Sequence, residues 1–136
     1  MPDVFPFNRL RGTKKINTDY LFKVQRGRKS KNIRISASQT LDDLDNEIKG
    51  VYNFEKGIFG HLSAFFMDGK AWSHNAYWCP YNDDGPFTDK VKLYALKLKP
   101  GHKFLYLYDF GDERTVNVTF LGEEPAQQDI SVNDHS

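Results

Sequence analysis

The stretch TLDDLDNEIKGV, residues Thr40–Val51, carries the signal from which the fold is read. Leu41, Leu44, Ile48 and Val51 recur at spacings of three and four, which lines one apolar stripe along a helix. Thr40 stands where an N-cap belongs, and Asp43 three residues later completes a capping box. Asp42, Asp43, Asp45 and Glu47 lie toward the positive end of the helix dipole and Lys49 toward the negative end. The spacing predicts a helix whose acidic residues face water and serve solubility.

Strand signals flank this helix on both sides. Upstream, YLFKVQ (Tyr20–Gln25) alternates apolar and polar residues, and Ile33 and Ile35 mark a second short strand beyond the polar loop RGRKSK (26–31). A hairpin is expected there. Downstream, LSAFFM (Leu62–Met67) and KAWS (Lys70–Ser73) flank Asp68-Gly69, which predicts a two-residue hairpin turn. NAYWCPYNDDGPFT (Asn75–Thr88) reads as a long aromatic loop. Tyr94, Leu96 and Leu98 alternate as a strand up to the Pro100-Gly101 turn. KFLYLY (Lys103–Tyr108) is apolar on both faces and therefore central. DFGD (Asp109–Asp112) turns the chain into a last strand through Val116, Val118 and Phe120. The sum is a single α+β domain, with one main helix packed on a mixed or antiparallel sheet.

Composition agrees with one folded unit. The chain has 136 residues, 39% of them hydrophobic and 15% aromatic, too much apolar surface for a disordered segment. The single cysteine excludes an internal disulfide and a four-cysteine zinc ribbon. No apolar run reaches the ~20 residues of a membrane span, and MPDVFPFNRLRGTKK lacks the order of a secretory signal. A cytoplasmic protein without membrane partners is expected. The net charge of +1 conceals an asymmetry, because residues 1–34 hold ten basic residues against Asp3 and Asp19. Residues 1–18 are accordingly read as a basic arm, 19–122 as the domain and 123–136 as a polar tail.

The runs YLFKV, SQTLDDLDNEIKGVYNF, HLSAFFMDGKAWS and KPGHKFLYLYDFGDE resemble the plasmid pRiA open-reading-frame-three-like family over roughly residues 20–121. Members are plasmid-borne, transposon-passenger or chromosomal proteins. The resemblance implies a compact α+β domain with a β-grasp-like opening and no settled activity. Two departures stand out. Ser30–Ile35 replaces a Pro-Pro-Ile-Trp-Arg-Arg-like stretch, and Arg114, Thr115 and Val116 stand where relatives place Trp and a further aromatic or His.

Candidate chemistry is sparse. Asp109-Phe110-Gly111 matches the kinase metal-binding triplet, but no Gly-rich phosphate loop or catalytic-loop motif accompanies it. It reads as a turn, with Gly111 supplying the unusual backbone angle and Phe110 plugging the core. Metal binding by Asp109 and Asp112 is the minor alternative. His61, His74, His102 and Cys79 lack the paired spacing of a zinc site, and Cys79 between Trp78 and Pro80 reads as a buried thiol. No nucleophile elbow, zinc-protease helix or phosphate loop is present, so no cofactor is expected and enzymatic activity is disfavoured.

Two surfaces remain. Trp72, Tyr77, Trp78, Tyr81 and Phe87 cluster with Asp83, Asp84 and Asp89, an acidic aromatic rim suited to a protein partner or a second copy. The leading expectation is therefore a non-enzymatic binding or adaptor module of a mobile-element type of family. Alternatively, Arg9, Arg11, Lys14, Lys15, Arg26, Arg28, Lys29 and Lys31 form one positive surface for nucleic acid.

Overall fold

The computed structural model describes residues 17–127. Six strands form one sheet, β1 (Thr18–Arg26), β2 (Lys29–Ser36), β3 (Ser63–Phe66), β4 (Ala76–Trp78), β5 (Lys103–Tyr108) and β6 (Arg114–Pro125). Their spatial order is β2-β1-β6-β5-β3-β4, and every strand pair is antiparallel. Among the described residues one α-helix, α1 (Leu41–Tyr52), packs across one face of this sheet, so the α+β architecture is as expected. The sheet is antiparallel, not mixed.

The hairpin of β1 and β2 closes more tightly than the sequence suggests. Arg26 pairs with Lys29, so Gly27 and Arg28 alone make the turn, and Ser30 and Lys31 belong to β2 instead of a loop. Gly27 takes φ 60, a left-handed angle that costs glycine little. Alternation then sorts the side chains. Tyr20, Phe22, Val24, Ile33 and Ile35 point toward the helix and are buried.

Helix α1 starts as predicted. Thr40 Oγ1 accepts from the Asp43 amide, and Asp43 Oδ2 accepts from the Thr40 amide at 2.9 Å. Asn53, at φ 57, ends the helix in a left-handed cap. Leu41, Leu44 and Ile48 are fully buried against Phe65, Phe104 and Tyr106 of the sheet. β5 lies between β6 and β3, which confirms its central place. Ring pairs tie the strands together, Phe22 edge-to-face with Phe104 and Phe65 tilted against Tyr106.

Four local expectations need correction. Asp68-Gly69 does not join two strands directly, because residues 67–75 form a longer connection and β4 begins only at Ala76. Gly69 does take a positive φ, but Asp68 Oδ1 gathers Lys70 N and Ser73 Oγ, which curls 70–73 into a turn. The segment with Tyr94 and Leu96 is a 3-10 turn, Leu93–Leu96, not a strand. Its Leu93 and Tyr94 amides bond Gln39 and Ala37 carbonyls, so it caps the passage from β2 into α1. The unusual angles of the DFGD turn fall on Asp109 (φ 68) and Glu113 (φ 52), not on Gly111. Finally, β6 runs to Pro125, with Glu123–Pro125 paired to β1, after a bulge where Leu121 has no partner. The sheet therefore claims residues read as the start of a tail.

Candidate functional site

The helix carries a buried carboxylate that its stripe did not announce. Asp45 is 1% exposed, because it lies four residues from Leu41 on the apolar side. Its Oδ2 accepts from Ser63 Oγ at 2.6 Å, and its Oδ1 accepts from Tyr106 Oη at 2.7 Å. Lys49 Nζ stands 3.2 Å from Oδ1 and 5.8 Å from the ring centre of Tyr108. A buried charge persists only with such partners. The expectation that all the helix acids face solvent is thus wrong for Asp45. Burial and the Asp45 charge push the Tyr106 phenol far above its ordinary range, so it remains a donor.

Beside this network a cavity of about 330 Å³ opens to solvent. One wall is the helix, where Asp42, Asn46 and Lys49 follow one another at four- and three-residue spacing. His61, Cys79, Tyr81 and Asp89 come from the loops around β3 and β4. Asp42 Oδ1 accepts from Thr88 Oγ1 at 3.0 Å, and partial burial raises its pKa above the usual carboxylate value. His61 Nε2 lies 3.7 Å from Asp109 Oδ2. Cys79 is the buried thiol expected, and its Sγ accepts from the Ser63 amide. Sequence reasoning missed this cavity. The available signal was Asp45 at the i+4 position of the stripe with Lys49 at i+4 again.

The five candidate aromatics separate. Trp72 and Trp78 lie over the sheet face opposite the helix, together with Phe66 and Phe110. Tyr77 points the other way and packs against the main core. Tyr81 stands at the cavity, and Phe87 bridges to Trp78 along the backbone. Phe110 does not plug the main core; it supports the tryptophans above Ala64, Phe66 and Leu107. Trp72 is 47% exposed, second among the five to Tyr81 at 59%, in a left-handed conformation with φ 65, and its Nε1 donates to Glu113 Oε1 at 3.3 Å. Exposed Ile58 and Phe59, which the sequence reading passed over, project from a 3-10 turn after the helix.

The basic set divides as well. Arg9, Arg11, Lys14 and Lys15 lie outside the described residues. Arg26 donates to the Thr115 carbonyl and Lys29 to the Val51 carbonyl, while each cation also sits near a ring, Phe54 and Tyr52. Arg28 and Lys31 are exposed at the hairpin tip. Asp109 is spent on its own turn, where Oδ1 accepts from the Gly111 and Asp112 amides. Asp112 faces Arg114 at 3.5 Å. Among the described residues, no group of three or more His, Cys, Asp or Glu side chains is arranged to hold a metal ion.

Comparison with known proteins places these observations in a family. The model for the plasmid pRiA4b ORF-3-like protein family matches residues 26–133. Among solved structures, the chain is similar to a protein of unknown function, MM3350, from Methanosarcina mazei Go1. The two share 25% identity and a TM-score of 0.63, covering 82% of this chain and 64% of the archaeal one. The chain therefore spans less than two thirds of that protein's length. Among curated proteins, none matches. No helix among the described residues is long and apolar enough to cross a membrane.

Proposed function

The chain belongs to the plasmid pRiA4b ORF-3-like family, and from that premise we propose that it is a non-enzymatic partner-binding module. The partner is a protein segment carrying basic and aromatic residues, and the contact is the tryptophan surface on the face opposite the helix. The observation that carries this reading is the state of Trp72. A bulky residue at positive φ is costly and persists only where its surroundings hold it. Trp78, Phe66 and Phe110 hold the ring, and Glu113 takes its N–H, yet half of the side chain is open to solvent. A preorganised aromatic loses little freedom on binding, which is what an anchor at an interface needs. Asp68 and Glu113 beside it favour a cationic neighbour. A role as a cytoplasmic accessory protein of a mobile element, and a β-grasp-like kinship from the hairpin followed by a helix, belong to the same reading.

The test is a selection of random peptides on the intact protein, repeated on Trp72→Ala. Enrichment of basic, aromatic peptides that bind the native chain and not the variant supports the module. Absence of enrichment, or binding indifferent to Trp72, overturns it. The second reading is nucleic-acid binding by the basic arm with Arg28 and Lys31, favoured by the exposure of these two at one hairpin tip. It requires affinity for a generic duplex that falls steeply with salt and disappears when residues 1–18 are removed. No affinity at low salt removes that reading.

A further inference from the structure

The cavity beside α1 is distinct from the tryptophan surface, and its lining has a polarity of its own. The Lys49 side chain is buried to about nine tenths, and the residue lines the cavity wall. The ammonium carries three donors, forms an ion pair with Asp45 Oδ1 at 3.2 Å and rests against the Tyr108 ring. Asp45 is itself fixed by Tyr106 and Ser63, so the ammonium cannot swing away without leaving a buried carboxylate underpartnered. The cavity thus has one immobilised cationic donor, built in from behind.

Asp42 stands on the same wall at the other end. Lys49 leans toward the helix N-terminus to meet Asp45, which sets its charge roughly 5 Å along the axis from Asp42, one helical turn. Thr88 occupies Oδ1 of Asp42, and Oδ2 takes no hydrogen bond among the described residues. Asp89 joins it at the rim, and the Asn46 amide lies between the two ends with both donors and an acceptor. Partial burial already disfavours the Asp42 carboxylate, so a cation arriving there removes an existing penalty.

We propose that this cavity binds one small zwitterion of the amino-acid type, with the ligand carboxylate on Lys49 and the ligand ammonium between Asp42 and Asp89. A volume of about 330 Å³ is at the small end of the range for ligand pockets and suits a molecule of that size. A singly charged ligand engages one end only.

Nuclear magnetic resonance titration of the intact protein decides the matter. The probes are the free L-amino acids and γ-aminobutyrate, with butyrate and butylamine as singly charged controls. The expected result is saturable shifts at the amides of Asn46, Gly57 and His61 for at least one zwitterion, with both controls weaker by roughly tenfold or more. Asp42→Asn, which keeps an acceptor for Thr88, weakens that zwitterion by about tenfold and leaves the spectrum folded. Three outcomes overturn the proposal: no saturation by any zwitterion up to about 10 mM, butylamine binding as well as the zwitterions, or Asp42→Asn binding unchanged. Peptide binding at Trp72 is read separately, so failure at one surface does not report on the other.

Discussion

Tyr106, in the middle of β5, donates its hydroxyl proton to Asp45 of the helix across 2.7 Å. This bond joins the centre of the sheet to the α-helix packed across it. Together with Ser63 and Lys49 it turns an acid on an apolar stripe into a fixed junction.

Removing that junction from the acid side is costly. Asp45→Ala leaves the Lys49 ammonium buried without its counter-charge, and the expected loss is about 3–5 kcal/mol in urea denaturation. Tyr106→Phe keeps the ring and removes one donor, for a loss of about 1–3 kcal/mol. A loss below about 1 kcal/mol for Asp45→Ala contradicts the buried pair.

The capping box makes a smaller and independent contribution. Thr40→Ala deletes the side-chain acceptor for the Asp43 amide, and the expected destabilisation is about 1 kcal/mol. Thr40→Ser retains the bond and stays close to the native midpoint.

The two faces of the sheet respond differently to truncation. Phe104→Ala empties a fully packed site against the helix and costs about 3–5 kcal/mol. At Trp72 the backbone angle adds its own term. Trp72→Gly is expected to be more stable than Trp72→Ala by about 1 kcal/mol, because glycine carries no Cβ penalty at φ 65. Equal midpoints for the two variants mean that the left-handed angle is absent in solution.

Asp42 has a defined sign with pH. Its folded pKa is raised by burial, so the folded state holds its proton more tightly than the unfolded chain does. Its contribution is favourable below the unfolded value near 3.8 and is lost as pH rises through the higher folded value. Asp42→Asn should therefore gain on the native protein as pH rises across that window, read as the difference between their denaturation midpoints at each pH. A difference that is flat, or that runs the other way, contradicts the desolvated carboxylate.

Much of this was readable from local spacing. The 41–52 helix, its capping box, the alternation of 20–24 and 116–120 and the two-faced apolar run of 103–108 are short-range patterns, and each matches its element. Leu93–Leu96 misled, since alternating apolar residues also suit a turn whose amides are taken by Ala37 and Gln39. Asp68-Gly69 misled because side-chain bonds from Asp68 redirect the chain after the glycine. At the candidate sites the sequence grouped Trp72 and Trp78 with Tyr77 and Tyr81, which the pleat and the following loop send elsewhere.

The linear order of residues settled which segments become helix or strand, because backbone preference and burial periodicity act over a few neighbours. It could not say that Asp45 would meet Tyr106, sixty-one positions away, or that Trp72 would lean on Phe110 and Glu113. Those pairings depend on strand order and on which face each loop crosses. Tertiary packing alone decided that one acid is buried, one tryptophan is held half open, and a polar cavity lies beside the helix.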